Sequence, residues 1–187
     1  MHSRTLARLA VVAALLGASS AASANVAVPP HLQAQLVAKV ARYERTFAER
    51  VGPEVNILIV KASGAESGRV GAQLEAALGK VPDIGGTPLK VTSVAWSGGG
   101  ALKGKVEADK IDIVYLSADV DAKAAAGALS GVAVLTVAAD PAGVDAGAVL
   151  GFDLEESKPR IVVNVDRAKA HRLQFAGQLL KLARVVP

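Results

Sequence analysis

Val55-Asn56-Ile57-Leu58-Ile59-Val60 is an apolar run rich in β-branched residues, and it is followed at once by Lys61-Ala62-Ser63-Gly64. A run this short that ends in turn residues reads as a strand buried on both faces, as in a parallel sheet. The chain beyond it repeats the same theme. Ser63 to Gly68 reads as a loop. Val70, Leu74, Ala77 and Leu78 mark a helix that Gly79 ends. Asp83 to Pro88 is a turn-rich connection, and Leu89 to Trp96 a second strand. Ser97 and the glycines after it open a loop into a helix over 101–108. Ile111 to Leu116 is a third strand, Ala122 to Leu129 an Ala-rich helix, and Val132 to Val137 a fourth strand. Strands alternating with helices predict βαβ units, right-handed crossovers and a parallel sheet covered on both faces.

Upstream of the run, Leu32, Leu36, Val40, Tyr43, Phe47 and Val51 fall on one helical face. Pro29-Pro30 suits its start and Gly52-Pro53 its end. Arg42, Glu44, Arg45, Glu49 and Arg50 lie largely on the other, solvent-facing side. The C-terminal pattern differs. Ala148–Leu154 and Arg160–Val165, joined across Glu155 to Pro159, predict an antiparallel hairpin at the sheet edge. A last helical segment follows over 168–183, with a break near His171 to Leu173 and docking through Leu179, Leu180, Leu182 and Ala183. There is no internal repeat and no linker. The expected fold is a single-domain three-layer α/β/α sandwich, its sheet mostly parallel with a C-terminal antiparallel hairpin.

The first 24 residues read as an export signal. Arg4 and Arg8 form a short basic region, Leu9 to Leu16 an apolar core, and Ala22-Ser23-Ala24 an A-x-A cleavage site before Asn25. The apolar core is shorter than the roughly 20 residues that span a bilayer. The expected product is a soluble domain over residues 25–187 in the periplasm. Removing residues 1–24 takes away two arginines and no acid, so the formal charge of +4 becomes +2. No basic stripe stands out to suggest a nucleic-acid partner. Cysteine is absent, which excludes disulfides, thiolate metal ligands and a thiol switch.

The chemical motifs are weak. Gly99 to Lys105 matches G-x-x-x-x-G-K after a strand, but Val106 stands where a phosphate loop needs Ser or Thr. Ser63 to Gly71 lacks dinucleotide spacing, although a helix N-terminus there suits an anion. Asp119-Val120-Asp121 lacks the rest of a calcium loop and reads as a helix start. Glu155-Glu156 reads as a solvated turn. His31 and His171 have no companion ligand at helical spacing, so no metal site is expected, and no G-x-S-x-G supports a hydrolase. No cofactor and no catalytic residue is therefore expected. Ligands in open α/β sheets bind at the carboxyl ends of strands. That rule selects Ser63, Gly64, Trp96, Ser97 and Ser117 as candidate ligand-binding residues.

A series of C-terminal features carries a family likeness. It runs Val132-Ala-Val-Leu-Thr-Val137, Asp140-Pro141, Gly143, Ala146-Gly147, Val149-Leu-Gly-Phe152, Arg160-Ile161, Asn164 and Gln178-Leu-Leu-Lys-Leu-Ala-Arg-Val-Val186. Leu36-Val-Ala-Lys-Val-Ala-Arg-Tyr43 joins it from the first helix. In order and spacing the chain resembles the YfiR family of bacterial periplasmic regulators. The resemblance implies a protein that restrains an inner-membrane diguanylate cyclase by contact, lowering cyclic di-GMP and biofilm formation. It also implies sequestration by an outer-membrane lipoprotein, and dimerisation. The family's redox-active cysteines are missing, and Gly151 stands where many members have Asn. The other reading of the residues is a periplasmic small-molecule binding protein that feeds a sensor or transporter.

Overall fold

The computed structural model describes residues 28–187. The expected signal and its cleavage at Ala24–Asn25 lie outside the described residues. The N-terminal part comprises helices α1 (Pro30–Ala41) and α2 (Phe47–Arg50), strand β1 (Val55–Lys61), α3 (Ala65–Leu78), β2 (Asp83–Ile84), β3 (Thr87–Ala95) and α4 (Gly99–Ala108). Strand β4 (Ile113–Leu116), α5 (Ala122–Ala128), β5 (Leu135–Ala138) and α6 (Pro141–Asp145) follow. The chain closes with β6 (Leu150–Glu155), β7 (Lys158–Asn164), α7 (Val165–Ala170), α8 (Gly177–Leu182) and β8 (Arg184–Val186).

The strands form one eight-stranded sheet in the order β2-β3-β1-β4-β5-β6-β7-β8. The central pairs β3/β1, β1/β4, β4/β5 and β5/β6 are parallel, while β6/β7 and β2/β3 are antiparallel. The Val55–Val60 run, in β1, lies in the interior of this sheet. Its alternate residues enter opposite cores, since successive strand side chains point to opposite faces. Ile57 and Ile59 pack with Val37, Leu74 and Leu78 from α1 and α3. Leu58 and Val60 pack with Leu102, Ala125 and Leu129 on the α4–α5 side. The α/β architecture with helices on both faces is the one the sequence predicts.

Several local expectations change or sharpen. The first helix does not run to Val51. It stops at Ala41, because Glu44 leaves the helix to bridge Phe175 in antiparallel fashion. Arg45 N–H donates to the Gln174 carbonyl and Ala176 N–H to the Tyr43 carbonyl, both at 2.8 Å. These long-range backbone bonds replace helical ones and swing Glu44 inward, where 3% of it is exposed. Glu44 is thus a core residue, against its assignment to the solvent face.

The hairpin β6–β7 exists but is not the sheet edge. Strand β8 adds to it in parallel, Val162 facing Arg184 and Asn164 facing Val186. The last helical segment does break near His171 to Leu173, as expected, into two short helices, α7 and α8, separated by Leu173 and Phe175, whose side chains are buried. Asp83 to Pro88 is a tight hairpin, since Gly85 and Gly86 take φ of 65° and 90°. Paired positive φ values are the mark of a two-residue turn that glycine tolerates best. Helix α6, begun by Asp140 and Pro141, falls where no helix was expected.

Candidate functional site

The strand order reverses at the middle of the sheet. From β1 the chain crosses to β3 on one side, then returns to β4 on the other. The loops that leave β1 and β4 therefore lead to helices on opposite faces of the sheet, and at such a switch point open α/β sheets place a ligand crevice. Ser63 and Gly64 lie in the first loop and Ser117 to Asp119 in the second. They come close: a methyl group on Gly64 would sit 3.5 Å from Asp119 Oδ2. The loop after β1 is shaped by Ser67, whose hydroxyl accepts from Ala62 N–H at 2.8 Å.

Ser117 is 3% exposed, and its hydroxyl has no hydrogen-bond partner among the described residues. It lies under α3 at Gly71, where an added Cβ would be 3.1 Å from Ser117 Oγ and 2.6 Å from Lys61 Cδ. The bare backbone of Gly71 thus lets the Lys61 stem cross beside Ser117, and Lys61 Nζ donates to Ser93 Oγ at 2.9 Å. Toward β5 the same strand ends border a cavity of about 330 Å³, lined in part by Ser117, Asp119, Asp121, Lys123 and Asp140.

Two residues before Ser117 on the same face, Tyr115 anchors this end of the sheet. Its hydroxyl donates to Gln33 Oε1 at 2.6 Å. Gln33 Nε2 in turn donates to the Val28 carbonyl at 2.7 Å and to the Ala139 carbonyl at 3.1 Å. Burial, and then the negative charge of Asp140, pushes the Tyr115 pKa far above its ordinary value. The phenol is thereby held neutral as a donor. Helix α1, β4 and the loop after β5 are locked together directly below the crevice.

The candidate residues divide between two places. Ser63, Gly64 and Ser117 lie in the loops that leave β1 and β4, and of the three only Ser117 lines the cavity of about 330 Å³. Trp96 and Ser97 instead line a separate cavity of about 210 Å³ with Val60, Val94, Leu102 and Lys105, on the α4 side. Trp96 packs against that core, and its backbone N–H donates to the Lys61 carbonyl at 2.7 Å.

The glycines from Gly99 onward are not a phosphate-cradling loop. They are the first turns of α4, and only Gly98, at φ 101°, serves as the cap. A Cβ on Gly99 would come within 2.9 Å of the Ala124 carbonyl, so its role is the close approach of α4 to α5. Asp121 caps α5 by accepting from Ala124 N–H at 2.9 Å, as a helix start requires. Among the described residues no group of three or more His, Cys, Asp or Glu side chains is placed to hold a metal ion. His31 is exposed at the start of α1, and His171 is wholly buried.

The opposite end of the sheet carries a charged cluster of Glu44 and Arg50, expected on the polar face of the first helix, and Asp112, expected in the third strand. Glu44 accepts from Thr46 N–H and Oγ1 at 2.9 and 2.7 Å, and from Arg50 Nε at 3.2 Å. Arg50 also donates to the Asp112 carbonyl oxygen at 3.2 Å and lies over the Phe47 ring. Burial raises the Asp112 pKa, opposed by the Asn56 N–H and by the Arg50 charge. The cluster clamps α2 to the start of β4 and lies far from the crevice in the chain's layout, at the strands' other ends.

A family model described as YfiR/HmsC-like matches residues 30–184. Among curated proteins, none matches the chain by sequence. Two solved structures share the fold. One is an ABC domain in complex with L-Trp from Streptococcus pneumonia, at 13% identity and a TM-score of 0.60, covering 84% of this chain and 62% of that one. The other is a conserved domain protein from Vibrio cholerae, at 13% identity and a TM-score of 0.56, covering 85% of this chain and 60% of that one. This chain thus spans about three fifths of the length of either structure.

Proposed function

Because the chain belongs to the YfiR/HmsC-like family, we propose that it is a periplasmic regulator of cyclic di-GMP signalling that restrains an inner-membrane diguanylate cyclase by direct contact. The observation that carries this reading is the family match over residues 30–184, which takes in every element from α1 to α8 and both cores apart from Val28. No helix among the described residues is long and apolar enough to cross a membrane, so contact with a membrane enzyme would be made by the folded domain itself. An outer-membrane lipoprotein that sequesters the domain, and a homodimer, belong to the same reading.

The test is capture from detergent-solubilised membranes on the tagged chain, paired with deletion of its gene. A cyclase recovered by mass spectrometry, together with a rise in cyclic di-GMP on deletion, is the expected result. Unchanged cyclic di-GMP and no recovered cyclase would overturn the proposal.

One observation favours a second reading, a small-molecule binding protein. The buried, unpartnered Ser117 hydroxyl stands at the switch point where α/β folds bind ligands. Ser63, Gly64, Trp96, Ser97 and Ser117 would then form its two subsites. Titration of polar metabolites against the fluorescence of Trp96 checks it. Saturable quenching that Ser117→Ala weakens is expected, and a flat response across the set would sink it.

A further inference from the structure

Helices α1 and α3 pack side by side, yet the outer seam between them is not filled. Its lining includes Ala38 on α1 and Ala76 and Ala77 on α3, flanked by Gln35 and Gln73, with no large apolar side chain from either helix. Helices whose contact residues are this short cannot interdigitate out to their rims, and a trough of about 880 Å³ remains. Pro29, Pro30 and Pro82 wall its ends. Beyond Lys39, Arg42 and Tyr43 it continues toward a second hollow of about 490 Å³ that Arg45 borders. The concavity therefore follows α1 from its first turn past its last.

Its charge is one-sided. Lys39, Arg42 and Lys80 line the main hollow, with Asp83 as the one carboxylate. Asp83 Oδ1 is already engaged by the Gly86 N–H at 2.8 Å. None of the three cations forms a salt bridge among the described residues. Six ion pairs elsewhere on the surface engage Arg69, Lys103, Lys105, Arg160, Lys169 and Arg184 with local acids. An apolar floor under unpaired cations is complementary to an acidic amphipathic chain segment, with apolar side chains entering between the helices and carboxylates meeting the rim.

We infer that this trough is a docking site for an acidic amphipathic segment of the protein partner, an inference that rests on the regulator reading and supplies its contact surface. Shape selects this occupant. A small anion would engage one cation and leave the alanine floor open. A bilayer surface is flat, and would reach the rim but not the floor. A peptide segment matches both the length and the depth.

The experiment uses the full chain and two variants. K39E/R42E/K80E reverses the rim, and Ala76→Phe fills the floor without changing charge. Circular dichroism confirms that each folds, which is expected because all four positions are exposed. Three probes are titrated: a peptide with leucines on one helical face and glutamates on the other, the same peptide with lysines for glutamates, and phosphatidylglycerol vesicles. The expected result is binding of the acidic peptide alone, weakened roughly tenfold or more by the rim reversal, as loss of three surface ion pairs implies, and weakened also by Ala76→Phe. No binding of the acidic peptide, equal binding of both peptides, or binding of vesicles alone would overturn the inference.

Membrane capture with the same variants separates this inference from the reading beneath it. A cyclase captured equally by wild type and the reversed variant removes the trough as the contact surface and leaves the regulator reading standing. Failure of wild type to capture a cyclase, with acidic-peptide binding intact and sensitive to both variants, leaves the trough standing and removes the cyclase.

Discussion

Tyr115 on the central strand β4 and Gln33 on helix α1 are joined by a 2.6 Å hydrogen bond across the larger of the two cores. Each is 1% exposed. Gln33 distributes the bond onward to two backbone carbonyls, so one amide satisfies three buried groups. A buried polar network of this kind stabilises only while every member is paired.

Tyr115→Phe removes the donor and leaves Gln33 Oε1 buried without a partner. The expected cost is about 1–3 kcal/mol. Urea unfolding should show a lower midpoint at an unchanged slope. Gln33→Leu should cost more, because the Tyr115 hydroxyl and two carbonyls then lose their partner. Equal stability of wild type and Tyr115→Phe would show that the bond contributes nothing.

The clamp at the other end of the sheet should be more sensitive still. Arg50→Met preserves the packing of the stem on Phe47 but strips the charge from between Glu44 and Asp112. The Glu44 side chain is 0% exposed, so its carboxylate would be left buried and unpaired at a cost of roughly 3–5 kcal/mol. Glu44→Gln combined with Arg50→Met should cost less than the two single changes added together, because both act on one network. A double-mutant cycle with no coupling would contradict the clamp. NMR titration should also find the Asp112 pKa higher in Arg50→Met, since the arginine opposes the rise that burial imposes.

His171 gives the protein an acid-side weakness. It is 0% exposed, neither ring nitrogen meets hydrogen-bond geometry with a partner among the described residues, and burial lowers its pKa, opposed by the nearby Val134 backbone and assisted by the Arg167 charge. Above the unfolded value of about 6.5 both states are neutral, so this residue makes no pH dependence there. As pH falls through that value the unfolded chain takes up the proton first. Stability therefore declines until the folded imidazole protonates as well. Urea midpoints measured across this range should fall toward acid for wild type. His171→Leu should flatten that slope, and an unchanged slope would assign it to other groups.

Gly151 should resist substitution for a steric reason. A Cβ there would collide with the Val144 side chain and come within 3.0 Å of the Asp140 carbonyl. The bare backbone lets α6 lie directly on β6. Gly151→Ala is expected to destabilise by about 1–3 kcal/mol, as other overpacked cores do. Gly100→Ala, where nothing lies within 4 Å of the added carbon, is the control and should be neutral or slightly stabilising. If both glycine variants unfold at the same urea concentration, the packing argument fails.

The strands that face the core on both sides were readable because their burial leaves no polar face to confuse the pattern. Val55–Val60, Ile111–Leu116 and Val132–Val137 all announce themselves in this way. The places of Ser63 and Ser117 just past the carboxyl ends of β1 and β4 were readable for the same reason. Trp96 was grouped with them by its place at a strand end. Its side chain instead serves the α4 side, because the face that a terminal residue takes depends on the packing of the helix that follows.

The α1–α3 trough had no linear signature. Ala38, Lys39 and Arg42 lie far along the chain from Ala76, Ala77 and Lys80, and their separate patterns are those of ordinary amphipathic helices. Only the packing of the two helices brings small residues to a common floor and unpaired cations to a common rim.

By itself the sequence determined the α/β class, the parallel core strands, the hairpin of β6 and β7 and the family. All of these rest on local periodicity and on the order of short apolar runs. Tertiary structure decided that the first helix breaks before Glu44, that Glu44 and Arg50 are clamped inward, and that β8 rather than the hairpin ends the sheet. In these cases tertiary pairings, Glu44 with Phe175, Arg50 with Asp112 and Val162 with Arg184, outweigh a local helical preference worth only tenths of a kcal/mol per residue.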